Sequence, residues 1–440
     1  MEINTDTIFA ESSPRGYGGI STIRISGDQT VEILKRITLR ETWPPHKQLF
    51  THLHDQNQTF VDQAMAVYHP APHSYTGEDM AEIHCHGNPV LVERLLQVIA
   101  STHLARCAEK GEFTKRAFLN AKMDLAQAEA VGALISAGSA AGIEMAGALL
   151  DGGLSRNVEA ICDDLTHILA EIEASFINDD MDVSNESVIE ALSPILEQID
   201  SLLKGQDTAT SLYSGISTTI AGLPNAGKSS LFNAILGYPR AIVHAEGGTT
   251  RDIIRERVTM GGIDFIFHDT AGIRETSSGP ERIGVEKTIE NLKQSDLVLY
   301  VVDARKGLHP DEYKWLGLGR KTITVMNKVD LVDRGEIDGH IENTVWISAK
   351  YNSGIDRLTE VMTKIFSMDI PRVFISRHAY LLGKARDCLQ QAGRSMESGL
   401  TVDVVSIDLI RARQSLYELV GKDADDDILN TIFSQFCVGK

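Results

Sequence analysis

Gly222-Leu223-Pro224-Asn225-Ala226-Gly227-Lys228-Ser229 follows an apolar run at 217–221 and leads into a helical run at 230–236. Strand, glycine-rich turn and helix in that order are what a phosphate-binding loop requires. Glycine lets successive backbone N–H groups curl around a phosphate, and the helix N-terminus adds positive potential. Lys228 is then expected to reach the β and γ oxygens, with Ser229 ligating Mg²⁺. The bland alternative is an ordinary glycine-rich turn, which the flanking strand and helix argue against.

Outward from this loop, three more clusters sit where strands should end. Asp269-Thr270-Ala271-Gly272 closes the run 263–269, so that its carboxylate can hold Mg²⁺ through water while the Gly272 amide approaches the γ-phosphate. Asn327-Lys328-Val329-Asp330 closes the run 322–327. Asp330 can accept from both the N1–H and the exocyclic amine of guanine. Adenine lacks that donor pair, so one charge-assisted contact of roughly 1.5–3 kcal/mol selects GTP over ATP. Ser348-Ala349-Lys350 supplies a further loop for the base, and the order of the four clusters predicts GTP binding. Between the first two lies Gly247-Gly248-Thr249-Thr250-Arg251-Asp252, either a polar surface loop or, as its position favours, a switch loop with Thr250 on magnesium.

Ile273 follows Gly272 where many related GTPases place a glutamine to orient the attacking water, which an isoleucine cannot do. Asn225 offers a carbonyl oxygen near the β and γ phosphates that suits a monovalent cation, and Glu281 lies downstream in the second switch region. The expectation is that potassium on Asn225 replaces an arginine finger and that Glu281 orients the water. The catalytic set is thus Glu281, Asn225, Lys228 and Asp269.

The 440 residues correspond to about three domains, and 42% hydrophobic with 23% charged residues fits a folded globular chain. Residues 1–117 mix short strands with a helix at 90–100 and read as an α+β domain. The stretch 118–210 is helical, and the same texture returns over 372–440. The block 211–371 alternates strand and helix, so the economical reading is a P-loop, Ras-like α/β domain inserted into a helical bundle. Its runs 253–260 and 263–269, joined by Gly261-Gly262, are expected to form an antiparallel hairpin in an otherwise parallel sheet.

A formal charge of -19 opposes general binding to phosphate backbones, so any RNA contact must be local or shared with a partner. Five scattered cysteines without a CxxC pair fit neither a disulfide framework nor a zinc ribbon and suggest a reducing compartment. Residues 1–10 carry no basic segment of a signal peptide. The stretch 130–154, broken by Glu144 and Asp151, reads as a close-packed soluble helix and not a lipid span. A cytoplasmic protein without membrane insertion is expected.

Several segments outside the nucleotide motifs bear a family resemblance. They are Ile23-Arg24-Ile25-Ser26-Gly27, Tyr75-Thr76-Gly77-Glu78-Asp79, the run from Gly111 to Asn120, the run from Asp124 to Ala130, Glu281-Arg282-Ile283-Gly284 and Phe436-Cys437-Val438-Gly439-Lys440. With Gly248-Thr249-Thr250-Arg251-Asp252 they make the chain resemble the tRNA-modification GTPase family MnmE (TrmE) over essentially its whole length.

The resemblance implies a homodimer joined through folate-binding-like N-terminal domains. It also implies a flavin-dependent partner, MnmG (GidA), in what should be a heterotetramer, and placement of an aminomethyl-type group on C5 of the wobble uridine of certain tRNAs. The one-carbon unit would come from a tetrahydrofolate derivative, 5,10-methylene or 5-formyl, contacting Arg24, Glu82, Lys122 and Lys440. Potassium would sit on Asn225 and on the backbone of His244, Glu246 and Thr249, and Mg²⁺ on Ser229 and Thr250, with Glu281 as catalytic carboxylate. GTP would be held by Asn225, Ala226, Gly227, Lys228, Ser229 and Ser230; by His244, Ala245, Glu246, Gly247, Gly248, Thr249 and Thr250; by Asp269, Thr270, Ala271 and Gly272; and by Asn327, Lys328, Asp330, Ser348, Ala349 and Lys350.

In the run 80–86 period-2 alternation puts Ile83 and Cys85 on one face and Glu82, His84 and His86 on the other, which suits a polar pocket better than zinc. Cys437 is either a functional thiol, as the resemblance favours, or a small apolar residue beside Phe433 and Phe436. Arg411 and Arg413 with Lys384 and Arg386 form either an RNA-facing patch or, more simply, solvated helix faces. The competing functional class is a GTP-switched RNA or ribosome assembly factor that does no chemistry on its RNA.

Overall fold

A computed structural model describes residues 6–177, 183–239, 241–244, 255–268, 292, 295–308, 321–332, 343–366 and 373–440. The chain divides into two compact units, one of residues 1–132, 149–195 and 384–440, the other of residues 133–148 and 196–383.

The chain opens with β1 (Thr7–Glu11), β2 (Ile20–Ser26), α1 (Thr30–Thr38), β3 (Leu49–His54), β4 (Phe60–His69), β5 (Met80–His86), α2 (Pro89–Ala100), β6 (Ala105–Cys107) and α3 (Glu112–Leu119). The six strands form one sheet in the order β3-β4-β5-β2-β1-β6, with only β1 and β6 parallel. Alternation along β1 buries both faces: Phe9 joins Ile23, Ile25 and Leu34, while Ile8 and Ala10 pack with Ala108 and Phe113. Asn88 caps α2 by accepting from the Val90 and Leu91 amides, and Pro89 follows at the first helical position.

Five helices follow: α4 (Leu125–Ser136), α5 (Ala140–Leu150), α6 (Gly153–Ile177), α7 (Asn185–Leu203) and α8 (Gln206–Ser214). The single helix expected over 130–154 is therefore corrected to two helices and the start of a third. Ser139 Oγ accepts from the Gly142 amide at 2.8 Å and so starts α5, and Gly152 takes φ +78 where α5 ends.

The second sheet holds β7 (Ile216–Ala221), β8 (Ile242–His244), β9 (Arg255–Met260), β10 (Ile263–His268), β11 (Leu297–Asp303), β12 (Lys321–Asn327) and β13 (Thr344–Ile347), with α9 (Lys228–Leu236) after β7 and α10 (Ile355–Phe366) after β13. Its order is β13-β12-β11-β7-β10-β9-β8. The strands from β13 to β10 are parallel, and β9 turns back at Gly261–Gly262 as the sequence implied. β11 is buried along its whole length, as a central parallel strand between helical layers must be. The chain ends with α11 (Ser376–Glu397), α12 (Val402–Val420), which packs on α6, and α13 (Asp426–Phe433). Among the described residues no helix is long and apolar enough to cross a membrane.

Candidate functional sites

In a parallel sheet, ligands bind outside the carboxyl ends of the strands, and there the nucleotide clusters that can be placed converge. β7 delivers the loop 222–227 and α9 starts at Lys228. Lys228 Nζ donates to the carbonyls of Gly222 and Leu223 at 2.9 and 3.0 Å, and burial pushes its ammonium below the usual lysine range. Among the described residues no carboxylate pairs with it. A half-buried cation resting only on carbonyls at a helix N-terminus is the donor set that a phosphate chain fits. Gly227 has φ +99, and a Cβ there would strike the Asn327 amide, so the loop and the base-side strand touch.

Asn327, at the end of β12, makes that contact specific. Its Nδ2 donates to the Ala226 carbonyl at 3.0 Å, and its Oδ1 accepts from the amides of Lys328 and Ala349 at 2.8 and 3.0 Å. One buried side chain therefore ties the phosphate loop to both base loops. Ser348 Oγ donates to Asp330 Oδ1 at 2.5 Å, which orients the carboxylate expected to read guanine. Lys328 Nζ donates to the Asn225 carbonyl at 2.6 Å and to Asp303 Oδ2 at 2.7 Å. Asp303 is a site residue that the sequence reading missed. Its only signal was a carboxylate closing the apolar run before Ala304-Arg305, and its partner Lys328 is 25 positions away. Ser229 and Ser230 lie in the first turn of α9 and Lys350 in the turn after β13; Asn225 is exposed, with φ +61.

His244 ends β8, but its side chain is outside the described residues. Also outside them are Ala245, Glu246, Gly247, Gly248, Thr249, Thr250, Asp269, Thr270, Ala271, Gly272, Ile273 and Glu281.

The first unit carries a second polar corner. β2 and β5 pair with Arg24 opposite Glu82, and Arg24 Nε donates to Glu82 Oε1 at 2.8 Å while its guanidinium stacks 5.5 Å from the Tyr75 ring centre. Along β5 Ile83 and Cys85 are buried and Glu82, His84 and His86 are not; His86 pairs with Asp62 at 2.8 Å. The C-terminal tail arrives at this corner. Val438 bridges Lys110, and the amides of Gly111 and Phe113 donate to the carbonyls of Cys437 and Lys440 at 3.3 and 3.2 Å. Gly439, at φ +93, lies against the Glu11 carbonyl with no room for a Cβ.

Burial first, and then repulsion from Arg24, lower the Lys440 ammonium from its ordinary range, with Glu82 and Cys437 opposing. Arg24, Glu82 and Lys440 are thus brought together. Lys122 donates to the Pro72 carbonyl at 3.0 Å and its stem runs beside Gly77, on the same loop that carries Tyr75. The Arg24–Glu82 pair with the Lys440 ammonium nearby offers donors to an anionic group and a carboxylate to a donor edge, both of which a reduced folate carries. Cys437 is exposed, which differs from packing beside Phe433 and Phe436. On the helical elements Arg411 and Arg386 pair with Asp408 and Asp387, and Arg413 reaches Thr166, as solvated helix faces do.

Next to this corner is a partly buried network that the sequence did not reveal, with Arg116 and Glu112 at its buried centre. Arg116 contacts Asp6, Glu78 and Glu112 at 2.8, 3.2 and 2.9 Å, Arg106 contacts Asp6 and Glu112 at 2.6 Å each, and Ser26 donates to Glu78 at 2.7 Å. Asn120 donates to the Thr76 carbonyl at 2.8 Å. The turn that carries Tyr75 and Gly77 is thereby fixed from below.

Taken together, the fold and these loops define a multidomain P-loop protein: a Ras-like nucleotide-binding domain in a chain that also carries an N-terminal α+β domain and a set of long helices. Residues 7–122 match the family model for the GTP-binding protein TrmE N-terminus and residues 125–437 that for the MnmE helical domain. The protein called tRNA modification GTPase MnmE in Thermotoga petrophila is 38% identical over 451 residues, covering 99% of this chain and 100% of that one. The one from Aquifex aeolicus is 38% identical over 448 residues, covering 99% and 100%. For Carboxydothermus hydrogenoformans the figures are 40% over 462 residues, covering 99% of each. The chain belongs to the tRNA modification GTPase MnmE family.

Proposed function

We propose that this protein hydrolyses GTP in the modification of tRNA, and that potassium stimulates the hydrolysis. The observation that carries the nucleotide half is the Asn327 staple beside Lys228, which has no carboxylate partner among the described residues: phosphate loop, Lys328 and the Ser348–Asp330 pair are held at one edge of one sheet. In this reading Asp330 accepts from guanine, the loop amides and Lys228 bind the phosphates, and Ser229 with Thr250 holds Mg²⁺. The metal ions supply positive charge to the phosphate oxygens as negative charge develops there. Asn225 is exposed and its side-chain amide has no partner among the described residues, which supports its use as a potassium ligand beside the backbone of His244, Glu246 and Thr249. Glu281 would orient the water and Asp269 the magnesium shell.

The polar corner of Arg24, Glu82 and Lys440, with Lys122 on the adjoining loop, would hold a tetrahydrofolate derivative as one-carbon source. The reaction it serves is proposed to be addition at C5 of the wobble uridine, carried out in the cytoplasm by a homodimer with the flavin-dependent partner MnmG. The acidic net charge supports a tRNA contact that is local or shared with that partner.

The test is nucleotide turnover across lithium, sodium, potassium and rubidium, with Asn225→Ala as control, and competition of ATP against GTP. Potassium-selective GTP turnover that Asn225→Ala abolishes is the expected result. Equal rates in sodium and potassium would remove the potassium role, and indifference between ATP and GTP would remove the guanine assignment. Loss of wobble-uridine modification in Asp269→Asn cells with unchanged ribosome profiles separates this reading from a ribosome assembly factor.

A further inference from the structure

Asp303 and Asn327 close β11 and β12 as register partners, so the residues that follow them emerge side by side. The Asp303 carboxylate is buried and fully used. Its Oδ1 accepts from the Arg305 amide and Nε at 3.1 and 2.9 Å, and its Oδ2 from Arg305 Nη2 and Lys328 Nζ at 2.6 and 2.7 Å. Arg305 grips the carboxylate by its fork and so leaves Oδ2 aimed at the lysine. Lys328 spends a second N–H on the Asn225 carbonyl at 2.6 Å. Both ends of that bond are unusual: Lys328 has φ +69 and Asn225 φ +61, left-handed conformations that cost a non-glycine residue energy and persist only where neighbours impose them. A lysine stem has four rotatable carbons and fixes nothing by itself. The second anchor is what turns it into a strut between the base loop and the phosphate loop.

We propose that Asp303 is a positioning residue for guanine-nucleotide binding: through Lys328 it holds the Asn225 carbonyl, and with it the phosphate loop, in register with the guanine loop. Arg305 serves the same end one step further out by fixing the carboxylate. The ligand class is a guanosine di- or triphosphate, so the inference rests on the nucleotide reading above and adds to it a residue outside the recognised motifs. Hydrogen bonds from two cations, Arg305 contributing most and Lys328 next, outweigh the opposing effect of burial and hold the Asp303 carboxyl well below the usual carboxylate range, so it stays charged throughout the neutral range.

The experiment measures GDP affinity on the full-length protein by displacement of a fluorescent GDP analogue, for Asp303→Asn, Lys328→Met and the double variant. Loss of one charge-assisted bond predicts about ten- to hundredfold weaker binding for Asp303→Asn. In the Lys328→Met background the same substitution should have little further effect, because its route of action is already gone. A merely structural aspartate would weaken binding equally in both backgrounds. A loss of threefold or less, or an equal loss in both, overturns the proposal. Should Asp303→Asn fail to fold, Arg305→Gln takes its place with the same lysine-dependence required, and an Arg305→Gln loss that persists in the Lys328→Met background overturns it. Absence of GDP binding by the unaltered protein would overturn the nucleotide reading together with this one, whereas the outcomes above leave that reading intact.

Discussion

Replacing Asn327 by alanine takes away three hydrogen bonds at once and leaves their partners in place. The Ala226 carbonyl and the Ala349 amide are both buried, at 3% and 7% exposure, so bulk water cannot take over. An orphaned buried polar group costs about 1–3 kcal/mol, and two of them, eased by small loop shifts, predict a loss of roughly 2–4 kcal/mol. Nucleotide binding needs the phosphate loop and base loop together, so most of that should appear as affinity, about 30- to 1000-fold for GDP. Asn327→Asp sharpens the argument. It keeps the acceptor facing Lys328 and Ala349 but turns an anionic oxygen toward the Ala226 carbonyl, and it should bind at least as poorly as alanine. The assay is equilibrium binding of GDP at fixed magnesium and potassium, with thermal unfolding without nucleotide recorded alongside. If Asn327→Ala bound GDP within threefold of the parent, the staple would not be what keeps the loops in register.

Two further predictions concern the first unit. Burial raises the Glu112 carboxyl, but hydrogen bonds from Arg106, the Glu109 amide and Arg116 outweigh it and bring it from 4.5 down to about 2. A carboxylate depressed in the fold stabilises fully above its unfolded pKa and loses that contribution as pH falls toward the folded one, here between about 4.5 and 2. Up to roughly 3 kcal/mol is at stake. Glu112→Gln should therefore lower the unfolding midpoint in urea at pH 7 and flatten its dependence on acid; parallel pH profiles for the two proteins would refute the assignment. At Gly439, alanine adds a left-handed strain of about 1–2 kcal/mol to a Cβ that collides with the Glu11 carbonyl. Calorimetry should find 5-formyltetrahydrofolate bound about tenfold more weakly, with potassium-dependent GTP turnover unaltered, and an unchanged folate affinity would detach Lys440 from that site.

What could be read from the residues alone was whatever is local. Gly222 to Ser229, Asn327 to Asp330 and Ser348 to Lys350 are short, and their chemistry needs no distant partner to be recognised; the Gly261–Gly262 turn gave the β9–β10 hairpin in the same way. The break at Ser139 was hidden because alanine and glycine give a helix no distinct face, so only the hydroxyl seated on the Gly142 amide marks the new start. Asp303 and Lys328 lie 25 positions apart, and Asp6 and Arg116 are joined at 2.8 Å across 110. Charges so separated read as solvated until a sheet register brings them together. Pairing Arg24 with Glu82 was open to inference only once β2 and β5 were known to run antiparallel with these two residues opposed.

The tail shows why the polar corner of Arg24, Glu82 and Lys440 depends on the whole of its unit. Residues 437–440 reach the N-terminal sheet only because α13 ends on Phe433, which packs with Leu125, Ala128 and Leu429 next to α3. From there the backbone is held by Lys110, Gly111 and Phe113, and the missing side chain of Gly439 lets it pass β1 at contact distance. The result is a partly buried place in which Arg24 pairs with Glu82 and the Lys440 ammonium stands within reach of both charges. Burial and repulsion from Arg24 act against the lysine ammonium there, while Glu82 and Cys437 act in its favour. Geometry imposed by long-range closure keeps it there. A ligand carboxylate placed beside Lys440 and Arg24 would relieve that repulsion, and a neutral or cationic compound of the same shape would not.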